Sequence, residues 1–264
     1  MKKLLAILLA LFAIATMCVS CSKKEEEDDS WKDSYMQEDN ENIDHIQVND
    51  ETFYFEAVDS ESVAITGYQG SDVPHTLNIP ETLNGKKVVE IADNAFYYCS
   101  KINAIVFPAT VTKIGENAFA GCALITELNL PATITSIGER AFYGCTGLTT
   151  LTLGNGFAAP IGEAAFMDCT ALTVVDIPAT VKIIETAAFF GCTAVTSVTV
   201  AEGVEFIGSQ SFQGCTALTT ITLPASVGVI GFAAFEGCED SLASATAPAG
   251  SVVETYINQY LTAN

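Results

Sequence analysis

The chain has 264 residues and a formal charge of −21, with 32 acidic side chains against 11 basic ones. A field of that sign repels nucleic acid and anionic lipid or heparin-like surfaces, and no basic patch interrupts it, so no nucleic-acid partner is expected. The charge is also uneven: residues 22–62 carry 15 acidic and 3 basic side chains, whereas residues 141–264 carry ten carboxylates and one lysine, Lys182.

At the N-terminus, Lys2 and Lys3 precede an apolar run from Leu4 to Met17 that ends in Cys18-Val19-Ser20-Cys21. The run is too short to cross a bilayer comfortably and reads as a signal peptide over residues 1–20. It resembles a bacterial lipoprotein signal, in which a small residue precedes the cysteine that becomes diacylated. Cys21, with Ser20 before it, fits that position; Cys18, after Met17, does not, and it stands where such signals usually carry an aliphatic residue. An ordinary secretory signal with incidental cysteines is the alternative. The resemblance implies lipid on Cys21, a membrane attachment made through that lipid alone, and an outer-membrane location in a gram-negative bacterium. Residues 21–45 are polar and acidic, with Trp31, Tyr35, Met36 and Ile43 as their only large apolar groups, which predicts a disordered tether. The acidic run Glu25–Asp29 is also similar to the sorting signal of surface-exposed lipoproteins, although a solvated tether has the same composition.

Beyond an expected N-terminal cap over residues 46–76, a repeat dominates. Cys99, Cys122, Cys145, Cys169, Cys192, Cys215 and Cys238 follow one another at intervals of 23 residues, with a single interval of 24. A fixed period of this length predicts a solenoid, each turn burying its apolar side only against its neighbours. Apolar residues recur three, six and eight positions after each cysteine, as in Ile125, Leu128 and Leu130, and the last two have the spacing of a strand with one face inward. Pro108, Pro131, Pro178 and Pro224 then end the strand. The chain returns to a phenylalanine column, Phe96, Phe119, Phe142, Phe166, Phe189, Phe212 and Phe235, three residues before the cysteines. Gly115, Gly138, Gly162, Gly208 and Gly231 are expected to supply a backbone angle closed to other residues, although Glu185 stands at the same slot. The longer fourth repeat, with Gly154-Asn155-Gly156-Phe157 at its corner, predicts a bulge. Ser251 and Glu254 have capping-box spacing ahead of a helix whose apolar face is Val252, Val253, Tyr256, Ile257, Tyr260 and Leu261.

The phrase L-x-x-L-x-L-P-A-T-V-x-x-I-G-x-x-A-F-x-G-C resembles the BspA-like leucine-rich repeats of bacterial and protist surface proteins over residues 77–242. The resemblance implies a β-rich, right-handed solenoid of about seven 23-residue turns, with an N-terminal hairpin cap and a helical C-terminal cap within residues 243–264. It also implies a surface protein, some members being adhesins.

The candidate chemistry is sparse. The repeat cysteines are too far apart in sequence for paired zinc ligands, and His45 and His75 lie outside the repeats, so no metal and no cofactor are expected. Parallel side chains in one column do not point at one another, which favours buried free thiols over disulfides. No nucleophile–base pairing, zinc-protease helix or phosphate loop occurs, and no enzyme is expected; Asp168 and Glu163 read as solvated loop charges. The remaining candidate is the outward strand face five and seven positions after each cysteine: Glu127, Asn129, Thr150, Thr152, Asp176, Ser197, Thr199, Thr220 and Thr222, with Ala104, Val106 and Val174 interrupting. Such a concave strip is expected to bind an extracellular protein or glycan without catalysis. An envelope scaffold docking a partner protein is the alternative, and carbohydrate capture a weaker one because the strip lacks aromatic rings for sugar stacking.

Overall fold

The computed structural model describes residues 44–261. The signal peptide, Cys21 and nearly all of the expected tether lie outside the described residues.

Three antiparallel strands open the domain: β1 (Asp44–Val48), β2 (Glu51–Ala57) and β3 (Ser62–Gln69). The cap is therefore a three-stranded meander that starts two residues before position 46. Strand β3 pairs in parallel with β6 (Lys86–Ile91), which in turn takes the short β5 (Thr82–Leu83) antiparallel on its other side. The cap thus joins the coil through β-ladder hydrogen bonds.

Most turns of the coil then contribute one long and one short strand. The long strands are β4 (His75–Asn78), β7 (Ile102–Val106), β9 (Glu127–Leu130), β11 (Thr150–Leu153), β12 (Val174–Ile177), β14 (Ser197–Val200), β16 (Thr220–Thr222) and β18 (Ser244–Thr246). They stack in parallel as two four-stranded ribbons, β4 to β11 and β12 to β18. The short strands are β6, β8 (Lys113–Ile114) and β10 (Ser136–Ile137), then β13 (Ile183–Ile184), β15 (Phe206–Ile207) and β17 (Val229–Ile230). Eight long strands make about eight turns, one more than the cysteines count, because the β4 turn carries no cysteine.

Both ribbons break at the fourth repeat. The long ladder is interrupted between β11 and β12, and the short one survives only as a lone Ile161–Ile184 bridge. Phe157 fills the core slot of Val111 and Ile134 and is fully buried. The extra residue therefore lies after that corner, in Ala158-Ala159-Pro160, where proline cannot donate to a ladder. Leu151, expected to be fully buried, sits at this break and is only half-buried.

The core is a column of seven buried phenylalanines. Successive ring centroids from Phe96 to Phe235 are 4.9, 5.4, 5.4, 5.4, 5.2 and 5.1 Å apart, with rings within 9° of parallel. Tyrosines close both ends: Tyr68 tilts 43° against Phe96, and Tyr256 meets Phe235 nearly edge-on. The Tyr68 hydroxyl is also 2.8 Å from Glu51 Oε1 and 2.7 Å from His75 Nε2, tying β2, β3 and β4 together.

The cysteines do more than fill space. Each thiol from Cys122 to Cys238 donates to the carbonyl of the phenylalanine one turn back, at 3.1–3.4 Å, for example Cys145 Sγ to Phe119 O at 3.3 Å. The same Phe119 carbonyl accepts the Cys122 amide, so the thiol uses its second lone pair. All seven repeat cysteines are buried and outside any disulfide.

The expectation for the glycines needs correcting. Gly138 does not have a positive φ; a Cβ there would lie 2.5 Å from the Gly115 carbonyl carbon and 2.6 Å from the Glu116 nitrogen, so glycine is required by the close approach of successive turns. The left-handed backbone lies elsewhere in the turn, at two residues four apart. One is the residue before the cysteine, as at Gly144 with φ 66°; the other is a non-glycine such as Arg140 with φ 54°. These residues turn alternate N–H groups along the coil axis: Arg140, Phe142 and Gly144 donate to Glu163, Ala165 and Met167 of the next turn.

At the C-terminus, Ser251 caps α1 (Val252–Tyr256), its Oγ accepting the Glu254 amide at 3.0 Å. The Glu254 carboxylate reaches back to the Gly250 amide at 2.6 Å, not to Ser251 as a strict capping box would require. The chain then widens into a π-helical turn, Ile257–Leu261. The buried stripe is Val253, Ile257 and Leu261; Val252 and Tyr260, expected on that face, are more than half exposed.

One side chain departs from the repeat. Ser211 stands where the other turns have alanine before phenylalanine; it is fully buried, and its Oγ has no hydrogen-bond partner among the described residues. Ser211→Ala is expected to raise stability by about 1 kcal/mol, because it removes an unsatisfied hydroxyl without opening a cavity. A lowered denaturation midpoint would contradict that assignment.

Candidate binding surface

The long strands alternate inward and outward. In β9 the burial runs exposed, buried, exposed, buried, so Leu128 and Leu130 enter the core while Glu127 and Asn129 face solvent. Parallel in-register pairing repeats this on every turn and stacks the outward residues into two columns. One runs Thr76–Ala104–Glu127–Thr150 and resumes as Val174–Ser197–Thr220–Ser244. The other pairs Asn78 with Val106 and Asn129 with Thr152, and resumes as Asp176–Thr199–Thr222–Thr246. All nine residues selected from the sequence lie in these columns. Eight are exposed and Ser197 is half-buried.

A third threonine column runs alongside but is already engaged. Thr149 Oγ1 donates to Thr126 O at 2.9 Å, Thr173 to Thr149 O at 3.3 Å, Thr196 to Thr173 O at 3.2 Å and Thr219 to Thr196 O at 2.9 Å. These hydroxyls tie turn to turn, a role the sequence conceals because threonine is common in any strand. On the two outward columns, by contrast, no hydrogen bond within the described residues takes up the side chains of Glu127, Asn129, Asp176 or Thr199. The strip therefore offers hydroxyl, amide and carboxylate groups spaced about 4.8 Å apart along the coil.

Chemically the strip is suited to contact rather than reaction. Its ionisable groups are the two carboxylates, Glu127 and Asp176, two turns apart in the stack. Among the described residues, no group of three metal-ligand side chains is gathered. Burial pushes the Cys145 and Cys192 thiols up to about 12, which holds these two neutral. Asp168 is not a simple solvated loop charge either; it takes the glycine slot with φ 58°, and burial pushes its carboxyl up.

The repeat geometry has a sequence counterpart: the BspA type leucine rich repeat region matches in six copies, over residues 75–159 and 159–263. The chain belongs to the BspA-type leucine-rich repeat family. Solved structures agree on the coil. A T. pallidum leucine-rich repeat protein is 26% identical with a TM-score of 0.66, over 81% of this chain and 95% of its own. A leucine-rich repeat protein from Eubacterium ventriosum is 25% identical with a TM-score of 0.65, over 80% of this chain and 53% of its own. No protein with a curated description matches. The BspA-type match begins at residue 75, the first residue of β4, so the antiparallel cap precedes the family region.

Proposed function

We propose that this BspA-type protein is a non-catalytic cell-surface binding module that engages an extracellular protein or glycan through the outward face of its long strands. The observation that carries the reading is the pair of solvent-facing columns, whose polar side chains are held in fixed register by the coil behind them. Among them Glu127, Asn129, Asp176 and Thr199 are spared from hydrogen bonding within the described residues, whereas the neighbouring threonine column is consumed by it. Family membership supports the surface role. Lipid on Cys21 would anchor the module and leave the acidic stretch as a spacer; mass spectrometry of the mature N-terminus checks this, a product starting at another residue counting against it.

The test of the surface is charge reversal within the strip. Glu127→Lys with Asp176→Lys is expected to change capture on protein and glycan arrays at least about tenfold, since each reversed contact turns attraction into repulsion. Both side chains are exposed, so the melting temperature should stay within the small range usual for surface changes. An unchanged binding profile would show that the strip is not the site.

A further inference from the structure

The short-strand ribbon changes character along the coil. Its outward column begins Glu90–Lys113–Ser136, paired in register on the first turns. After the irregular fourth turn the same column reads Ile183–Phe206–Val229, again paired in register. Nothing in the β-coil requires that switch, because polar residues fill the column perfectly well on the earlier turns. Val229 is 51% exposed, and three residues on, Phe232 is 83% exposed, the most exposed large apolar side chain among the described residues. Phe232 stands where the earlier turns carry Asp93, Glu116, Glu139 and Glu163. The first column thus becomes apolar over three turns, and the second, after Thr186 and Ser209, becomes apolar at Phe232 on the last of them.

The surroundings specify what would cover this face. Residues 182–264 hold seven carboxylates and one cation, Lys182. That cation is engaged, its Nζ donating to Gly203 O at 2.9 Å and lying 3.4 Å from Glu205 Oε1. Glu205, shared with Lys182, flanks Phe206 on one side of the row, and Glu185 follows Ile184 on the other. We propose that the row Ile183, Phe206 and Val229, with Phe232, is a second docking surface, distinct from the long-strand face, for a basic amphipathic polypeptide segment. Apolar side chains of that segment would cover the row while its lysines or arginines meet the acidic margin. A second copy of this chain would bring the same negative charge to the same edge, and an anionic bilayer would be repelled by it.

The test immobilises the full chain and measures binding of a helical peptide of about 18 residues with leucine on one face and lysine on the other, at about 0.15 M salt. Saturable binding is expected, with a counterpart peptide carrying glutamate for lysine at least about tenfold weaker. Val229→Thr with Phe232→Ser should weaken the lysine peptide at least about tenfold at an unchanged melting temperature, both side chains being exposed. As an independent variant that leaves the apolar row intact, Glu185→Gln with Glu205→Gln should also weaken it. Equal binding by the apolar-row variant would mean that bulk charge alone attracts the peptide and would overturn the proposal. So would equal binding of the glutamate peptide, or binding of wild type to phosphatidylcholine vesicles that the apolar-row variant loses.

Discussion

Phe142→Ala is expected to lower the unfolding free energy by about 3–5 kcal/mol, read as a shift in the urea or guanidinium midpoint. Phe142 is fully buried in mid-column, with Phe119 and Phe166 each 5.4 Å away and within 2° of parallel. Truncation removes both ring contacts and leaves a void that the flanking turns cannot close, because their spacing is set by backbone hydrogen bonds on either side. Phe142 and Gly144 donate to the next turn, and Phe119 and Gly121 donate to this one. In a coil whose turns contact only their neighbours, that loss falls on the two interfaces the stack depends on. A loss below about 1 kcal/mol would refute the phenylalanine column as the core.

Alkali is expected to unfold the protein before most of its surface groups explain why. Burial pushes the Cys145 and Cys192 thiols up to about 12 and raises Cys169 well above its ordinary value, while an unfolded cysteine ionises near 9. Above that pH the unfolded chain releases protons that the folded chain retains, so ν_U is smaller than ν_N and stability falls as pH rises. The thiol contribution is fully present below about pH 9 and is lost as pH climbs toward the folded values. Cys145 and Cys192 together remove roughly 3 kcal/mol per pH unit in that window, enough to exhaust a typical domain's stability within a few units. Denaturation midpoints measured at pH 8, 9, 10 and 11 should be level at first and then fall steeply. A flat profile to pH 11 would mean that the thiols are not enclosed.

Much of this coil is legible in the residues, because period and alternation are local. The cysteine and phenylalanine columns, the inward Leu128 and Leu130 and the outward Glu127 and Asn129 all follow from counting. What needs the third dimension is every contact between turns. Thr149 and Thr150 are adjacent threonines with the same strand propensity, yet one hydroxyl is spent on the turn before it and the other faces outward. The cysteine thiol reads as a small hydrophobe until the carbonyl one turn back is seen to lie within hydrogen-bond range. Gly138 and Gly144 look interchangeable in sequence, but the first makes room for a neighbouring backbone and the second supplies a left-handed turn. The left-handed residue four before it gives no signal at all, since asparagine, arginine, alanine and glutamine occupy the slot in different turns. The candidate strip was readable as a face; that Glu127, Asn129, Asp176 and Thr199 on it stay out of the turn-to-turn hydrogen bonds of the threonine column was not.

The binding role of that face can be tested by using the inertness of the native thiols. In a chain carrying Cys18→Ser and Cys21→Ser, the remaining cysteines are buried, so a single surface cysteine can be blocked with a bulky maleimide–polyethylene glycol. Thr199→Cys places the polymer on the long-strand face, and Ser136→Cys places it on the outward column of the short strands. Capture of whatever ligand the unmodified protein binds on protein and glycan arrays should be abolished by the polymer at position 199 and retained with it at position 136. Equal capture by the two labelled forms would contradict the assignment of binding to the long-strand face.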